Sequence, residues 1–265
     1  MEERQEYIEK VCDYYDTTTE VYLKFTGTSL QACQLSHSRK NTARATNLYL
    51  AARAGIQPGH RILDCGCGVC GPSIDIALHT QDVRIDAITL SEVQAKIAKN
   101  LIHRARLSSR IHIYRSDYHF LPFSDSSYDV VFFFESTGYA YDRQRLFEEV
   151  FRVLRSGGKL YIKDVYFASK EDVSSEEKYE MAEFNRIYAQ QTPTLEENIS
   201  AISNAGFEKI HSCKLAGITT RRFAQYMTTY KNGRSVLTEF GKHHYYPSKY
   251  LSLLCEEITA RKPDS

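Results

Sequence analysis

Residues 61–77 read RILDCGCGVCGPSIDIA. A short apolar run, Ile62 to Cys65, meets glycines at 66, 68 and 71, and a helical pattern then opens at Pro72. That order spells a buried strand, a tight loop and a helix with proline in its first turn. Gly66 and Gly68 allow the backbone to turn sharply and to approach a ligand closely. The free N–H groups of the helix start suit a carboxylate or a phosphate. By itself such a loop also fits dinucleotide enzymes.

Working outward, the same alternation repeats. VRIDAITLS reads as a second strand, EVQAKIAKNLIHRARL as a helix, IHIYRSD as a third strand and YDVVFFFES as a fourth. RQRLFEEVFRVLRSGG reads as a helix ended by glycines, followed by the strand KLYIKDVYF. Strands alternating with helices imply right-handed βαβ units and a parallel, doubly wound sheet. Upstream, residues 2–25 and 40–54 carry helical spacing, and Pro58-Gly59 marks a turn. Downstream, residues 174–206 read as helices, NAGFEKI as a turn into a strand, and LSLLCEEITARK as a last strand at the sheet edge. Residues 215–249, rich in Tyr, Lys and His, are placed over the active face. The expected organisation is a single domain, 1–265. It comprises an N-terminal helical cap (1–55), a core (56–167) and a lid or substrate segment with the final strands (168–265).

Composition excludes several classes. The net charge of +1 speaks against nucleic acid as a main partner. No apolar run reaches the roughly 20 residues of a membrane helix. The polar start MEERQEYIEK does not read as a secretory signal. Seven cysteines, three of them in CGCGVC, fit reduced thiols in the cytosol better than a disulfide framework. No fourth ligand stands at a recognisable spacing from Cys65, Cys67 and Cys70, so no metal site is expected. A homo-oligomer is compatible with the sequence. Charge is nevertheless segregated. Val21 to Leu63 holds six Lys/Arg and no acid, and Lys209 to Lys249 holds eight Lys/Arg, three His and one acid.

Asp64 precedes the first glycine, where a carboxylate can neighbour a cationic amino group. Asp117 closes the third strand, where it can accept from an adenine amino group, and Tyr118 follows it. The second strand ends Ala87-Ile88-Thr89-Leu90-Ser91, without the acid that usually holds the ribose of NAD. Thr89 and Gln94 remain to supply weaker hydrogen bonds. Together these features favour S-adenosylmethionine over a dinucleotide.

"RILDCGCGVCGPSIDIA", "AITLSEVQAKIA", "SDYHFLPFSDSSYDVVFFFES" and "FRVLRSGGKLYIKDV" resemble the class I S-adenosylmethionine-dependent methyltransferases. "YYDTTTEVYLKFTGTSLQ" with "GCGVCGP" is similar to the sterol C-methyltransferases, and "FESTGYAYDRQRLFEEVFRVLRSGGK" to the geranyl diphosphate C-methyltransferases. Where those families carry an HFG- or HYG-like motif, this chain reads SLQACQLSH. The resemblance implies a Rossmann-like, doubly wound, mostly parallel seven-stranded sheet with N-terminal helices and a helical lid insertion. It implies an enzyme of terpenoid biosynthesis that methylates the alkene carbon of an isoprenyl diphosphate, geranyl or isopentenyl. The alternative is a natural-product, sterol or indole-terpenoid methyltransferase of the same fold.

Alkene methylation leaves a tertiary carbocation that must be steadied and must lose a proton. Aromatic faces, Tyr15 and Tyr139 among them, can steady it. The resemblance makes Glu135, at the end of the fourth strand, the base. A carboxylate there has either a structural partner or a chemical role. A diphosphate would need an anion site, for which Arg39, Lys40 and Arg44 stand in the first basic segment. Arg221, Arg222, Lys242, His243, His244 and Tyr245 stand in the second, and Mg²⁺ could bridge the substrate oxygens.

Overall fold

The run Val130 to Phe134 shows why the centre of the molecule is a covered sheet. Side chains of a strand alternate between faces. Val130, Phe132 and Phe134 enter one apolar cluster, and Val131 and Phe133 enter another. A strand apolar on both faces needs helices on both. In the computed structural model, which describes residues 2–35, 42–168, 173–219 and 253–264, that is what surrounds it.

The chain opens with α1 (Glu2–Thr26), β1 (Gln34–Leu35) and α2 (Thr42–Arg53). The alternating core follows: β2 (Arg61–Cys65), α3 (Gly71–His79), β3 (Arg84–Thr89), α4 (Glu92–Arg104), β4 (Ile111–Arg115), β5 (Tyr128–Phe134), α5 (Arg143–Val153) and β6 (Leu154–Phe167). A 3-10 turn, Thr137–Tyr139, stands just beyond β5. The last part holds α6 (Ser175–Tyr188), α7 (Leu195–Asn204), β7 (Glu208–Lys214), β8 (Ile218–Thr219) and β9 (Leu253–Arg261). Seven strands form one sheet in the order β4-β3-β2-β5-β6-β9-β7. Residues of α2, α3 and α4 pack on one face, and residues of α5 and α7 on the other. The order turns back between β2 and β5, the switch point where such sheets open a crevice beyond their carboxyl ends.

Two expectations are corrected. LSLLCEEITARK does not stand at the sheet edge. As β9 it lies antiparallel between β6 and β7, with Ile258 and Ala260 buried, and the largely exposed β7 is the edge. Nor do the glycines of RSGG end the helix. α5 stops at Val153, Leu154 is already extended, and the glycines lie in the bulged start of β6. Gly157, at φ +70°, donates its N–H to the carbonyls of Lys262 and Pro263, and a Cβ there would strike the Asp264 side chain. The glycines are therefore used to dock the segment after β9.

Residues 215–249 are described only as far as Thr219. Leu215 is buried, and β8 pairs antiparallel with β1, so this segment starts beside the loop that follows α1. α1 itself packs through Val11 and Tyr14 against Tyr188 and Ala189, with Leu90 and Tyr139 alongside. It thereby roofs the crevice.

Candidate active site

The crevice is a cleft that takes in about 760 Å³ of space, open solvent included. Its floor is the loop after β2, its far wall the ends of β3 and β5, and its roof α1 with residues 30 and 31. Asp64, Gly66, Gly68, Thr89, Gln94, Tyr118, Glu135, Tyr15 and Tyr139 all line it, so the structure brings together nine residues expected from sequence.

At the glycine loop, Asp64 is 1% exposed and its Oδ2 accepts from the Ser73 hydroxyl at 2.6 Å. Burial pushes its carboxyl up to about 7, and Ser73 offsets only part of that rise. A buried carboxylate with one donor is a ready partner for a cation. Gly66 and Gly68 have φ +83° and +55°, the left-handed region that glycine occupies without strain. Gly66 and Gly68 line the cleft, and other parts of the protein also pack against the loop. A Cβ on Gly66 would strike the Ser136 side chain, one on Gly68 would press on Leu30 at 3.3 Å, and one on Gly71 would collide with the Thr28 carbonyl. The glycines let the protein close upon itself around the loop.

Beyond β3, the Thr89 hydroxyl donates to Gln94 Oε1 at 2.7 Å, and Ser91 caps α4 by accepting from the Gln94 N–H at 3.0 Å. The Ser91 hydroxyl in turn donates to Asp16 of α1, whose carboxylate also accepts from the Val93 N–H at 3.3 Å. Gln94 is 3% exposed, and its Nε2 has no hydrogen-bond partner among the described residues. A buried unmatched amide on a cleft wall calls for an acceptor on a ligand.

Asp117 does not take the place expected of it. It is absent from the cleft wall, which runs through Ser116 and Tyr118 instead. Its Oδ1 accepts from the backbone N–H of His119 at 2.9 Å and pairs with His119 Nδ1 at 2.6 Å. Its Oδ2 accepts from Tyr141 at 2.8 Å and from Arg4 at 3.2 Å. Burial would raise this carboxyl, but the His119 contacts prevail and hold it below the usual range. With four donors against it, Asp117 is saturated by the scaffold.

At the end of β5, Glu135 has both a structural partner and a place on the cleft wall, so the either-or reading of its carboxylate does not hold. Its φ of +59° turns the side chain out of the strand register, an uncommon conformation for a residue with a Cβ. Oε2 accepts from the Ala32 N–H at 2.6 Å, and Oε1 from the Cys33 N–H at 2.9 Å and from the Lys163 ammonium. Around it stand Phe134, Tyr118 and the Tyr15–Tyr139 pair, whose ring centroids are 5.3 Å apart. The Tyr139 hydroxyl accepts from Gln190 at 2.9 Å. Burial drives the phenols of Tyr15, Tyr118 and Tyr139 above the ordinary value, so they act as neutral rings and donors.

The expected anion site is represented only by Arg44. It faces Asp75 on α3 at 3.9 Å and does not line the cleft. Arg39, Lys40, Arg221, Arg222, Lys242, His243, His244 and Tyr245 lie outside the described residues. Among the described residues, no lysine or arginine lines the cleft.

Residues 63–162 match the methyltransferase domain family. A sterol 24-C-methyltransferase of Aspergillus fumigatus is 30% identical over 219 residues, 80% of this chain and 57% of that protein. These matches support a class I S-adenosylmethionine-dependent methyltransferase. The chain spans little more than half the length of the curated relatives it matches. Among solved structures, a geranyl diphosphate C-methyltransferase of Streptomyces coelicolor superposes with a TM-score of 0.78 at 17% identity, over 97% of each chain. A [4+2]-cyclase superposes equally fully, with a TM-score of 0.77 at 21% identity. At such identities the likeness is one of fold, and the fold carries more than one chemistry.

For a class I methyltransferase the donor fits the residues present. Asp64 would offer a buried carboxylate to the donor's amino group, and the unmatched Gln94 amide would offer a hydrogen-bond donor to the nucleoside, with Thr89 beside it. Sequence reasoning missed Asp16, Lys163 and the backbone N–H groups of Ala32 and Cys33. Asp16 lay inside the YYD lead without any sign that it would reach α4. Lys163, in YIKDVYF, carries no local sign of its role, yet it is fully buried.

Proposed function

We propose that this chain methylates an alkene carbon of an isoprenoid, with S-adenosylmethionine as donor. The observation that carries the reading is a carboxylate, Glu135, set among Tyr15, Tyr118, Tyr139 and Phe134 beside the donor loop. When bound, the donor supplies an electrophilic methyl group. The chain's own part is to hold the alkene dry, steady positive charge on carbon and accept one proton. A ring face contributes roughly 0.5–2 kcal/mol toward a cation, more when water is excluded. A carboxylate offers about four acceptor positions, and three on Glu135 are taken. The position left on Oε2 is the base. A phenol or amine acceptor would instead need a histidine or an acidic tyrosine. No histidine lines the described cleft, and the tyrosines there are held neutral.

Between acceptors, the described walls favour a neutral isoprenoid such as a sterol side chain, because no cation lines them, and the relatives by sequence carry sterol names. The isoprenyl diphosphate reading rests on basic segments that lie mostly outside the described residues, and Mg²⁺ belongs to that reading alone. The test is incubation with methyl-labelled donor and separate acceptors: lanosterol, and geranyl and isopentenyl diphosphates with and without Mg²⁺. Label is expected in a carbon-methylated sterol, and Glu135→Gln should reduce it at least a hundredfold. Labelling of a diphosphate overturns the neutral acceptor but keeps alkene methylation. Label found only on oxygen or nitrogen of an acceptor, or undiminished turnover by Glu135→Gln, overturns the reading itself.

A further inference from the structure

Lys163 is a buried charge that the proposed reaction leaves unused. Its relative exposure is 0%. Its ammonium has three N–H bonds, and each has an acceptor: Gln31 Oε1 at 3.0 Å, the Cys33 carbonyl at 2.7 Å, and Glu135 Oε1. Two of the three belong to the segment between α1 and β1, and Gln31 of that segment lines the cleft beside Leu30. Glu135 binds the same segment through the N–H groups of Ala32 and Cys33, and its own N–H donates to the Lys163 carbonyl at 2.7 Å. The left-handed backbone at Glu135 is thus held from both ends.

We propose that Lys163 is a positioning residue: it occupies Glu135 Oε1, leaves Oε2 as the oxygen that faces the cleft, and latches residues 31–33 over the acceptor. This rests on the reading of Glu135 as the base. Among the described residues, the other titratable groups facing the pair are Tyr22 of α1, Cys33, Asp164 of β6 and Cys255 of β9. Asp164 is spent on the N–H and hydroxyl of Thr137 and on the Val165 N–H. None of these four is a cation, so Lys163 sets the field at Glu135. In general an ammonium in contact with a carboxylate favours the charged form of both groups.

The test is the pH profile of kcat for lanosterol methylation by the full chain, in wild type, Lys163→Met, Lys163→Arg and Glu135→Gln. A base must be unprotonated to act, so activity falls on the acid side. Without the ammonium, that acid limb should move up by at least one pH unit. kcat at pH 7 should fall at least tenfold, and the Kd for S-adenosylhomocysteine should stay within threefold. Lys163→Arg keeps the charge and should keep the limb. An unmoved limb in Lys163→Met, alongside an inactive Glu135→Gln, makes Lys163 a scaffold residue and overturns the inference. A fully active Glu135→Gln overturns the base reading instead. A second measurement does not depend on Lys163→Met folding. In Glu135→Gln, hydrogen exchange at the Ala32 and Cys33 amides should quicken at least tenfold while the β6 amides hold. Unchanged exchange at both overturns the latch.

Discussion

Asp64 should cost the protein stability that only the donor returns. The unfolded chain carries this carboxyl at its ordinary 3.8, and the fold raises it to about 7. Between those values the native state binds the extra proton, so stability falls as pH rises and levels off above pH 7. At about 1.4 kcal/mol per pH unit, the full loss is ~4 kcal/mol at pH 8 and a little over ~2 kcal/mol at pH 5.5. Asp64→Asn removes the titration and still offers Ser73 an acceptor. Without cofactor the variant should melt higher than wild type, and its advantage should grow by about 2 kcal/mol from pH 5.5 to 8. For a chain of this size that increment is roughly 4–8 °C in Tm. The cofactor response runs the other way. A hundredfold excess over Kd stabilises wild type by about 2.7 kcal/mol. Asp64→Asn should lose most of that, and wild-type affinity for S-adenosylhomocysteine should weaken roughly tenfold per unit as pH drops below 7. Differential scanning fluorimetry at the two pH values, with and without S-adenosylhomocysteine, reads both effects. A variant that melts below wild type at both pH values, or that binds the ligand as well as wild type, refutes the placement of a costly buried carboxylate at the donor amino group.

Gln94→Leu removes a buried donor that nothing among the described residues satisfies, so Tm should move by only a degree or two while Kd for S-adenosylhomocysteine, measured by calorimetry, rises about tenfold. Gly71→Ala sets a methyl group against the Thr28 carbonyl; urea unfolding should show a loss of about 1–3 kcal/mol, and donor binding should weaken with it. Arg53→Met leaves Glu257, 2% exposed, without its ionic partner and should cost about 3–5 kcal/mol in the same assay. The double variant Arg53→Met/Glu257→Leu should recover much of that loss.

The parallel core was legible because its signals are local. The unbroken apolar run Val130–Phe134 and the glycines after Cys65 each act within a few residues of themselves. What escaped depends on distance along the chain. Nothing near position 117 foretells that Arg4 and Tyr141 will saturate Asp117, and nothing near 135 foretells donors at residues 32 and 33. Glycine composition announced a tight loop but not that Ser136, Leu30 and Thr28 would fill the space. The misplaced last strand has the same origin, since its apolar pattern suits an edge or an interior position equally well.

The position of β9 has a consequence for how the chain is made. β7 is synthesised before β9, yet among the described strands it has no partner until β9 slots between it and β6. During that interval the outer margin of β6 is an open row of unpaired amides and carbonyls, and β7 is a loose ribbon. Open strand margins invite pairing with another chain. A ribosome that stalls before residue 253 would therefore release a half-zipped sheet, and such products should be the prime clients of chaperones.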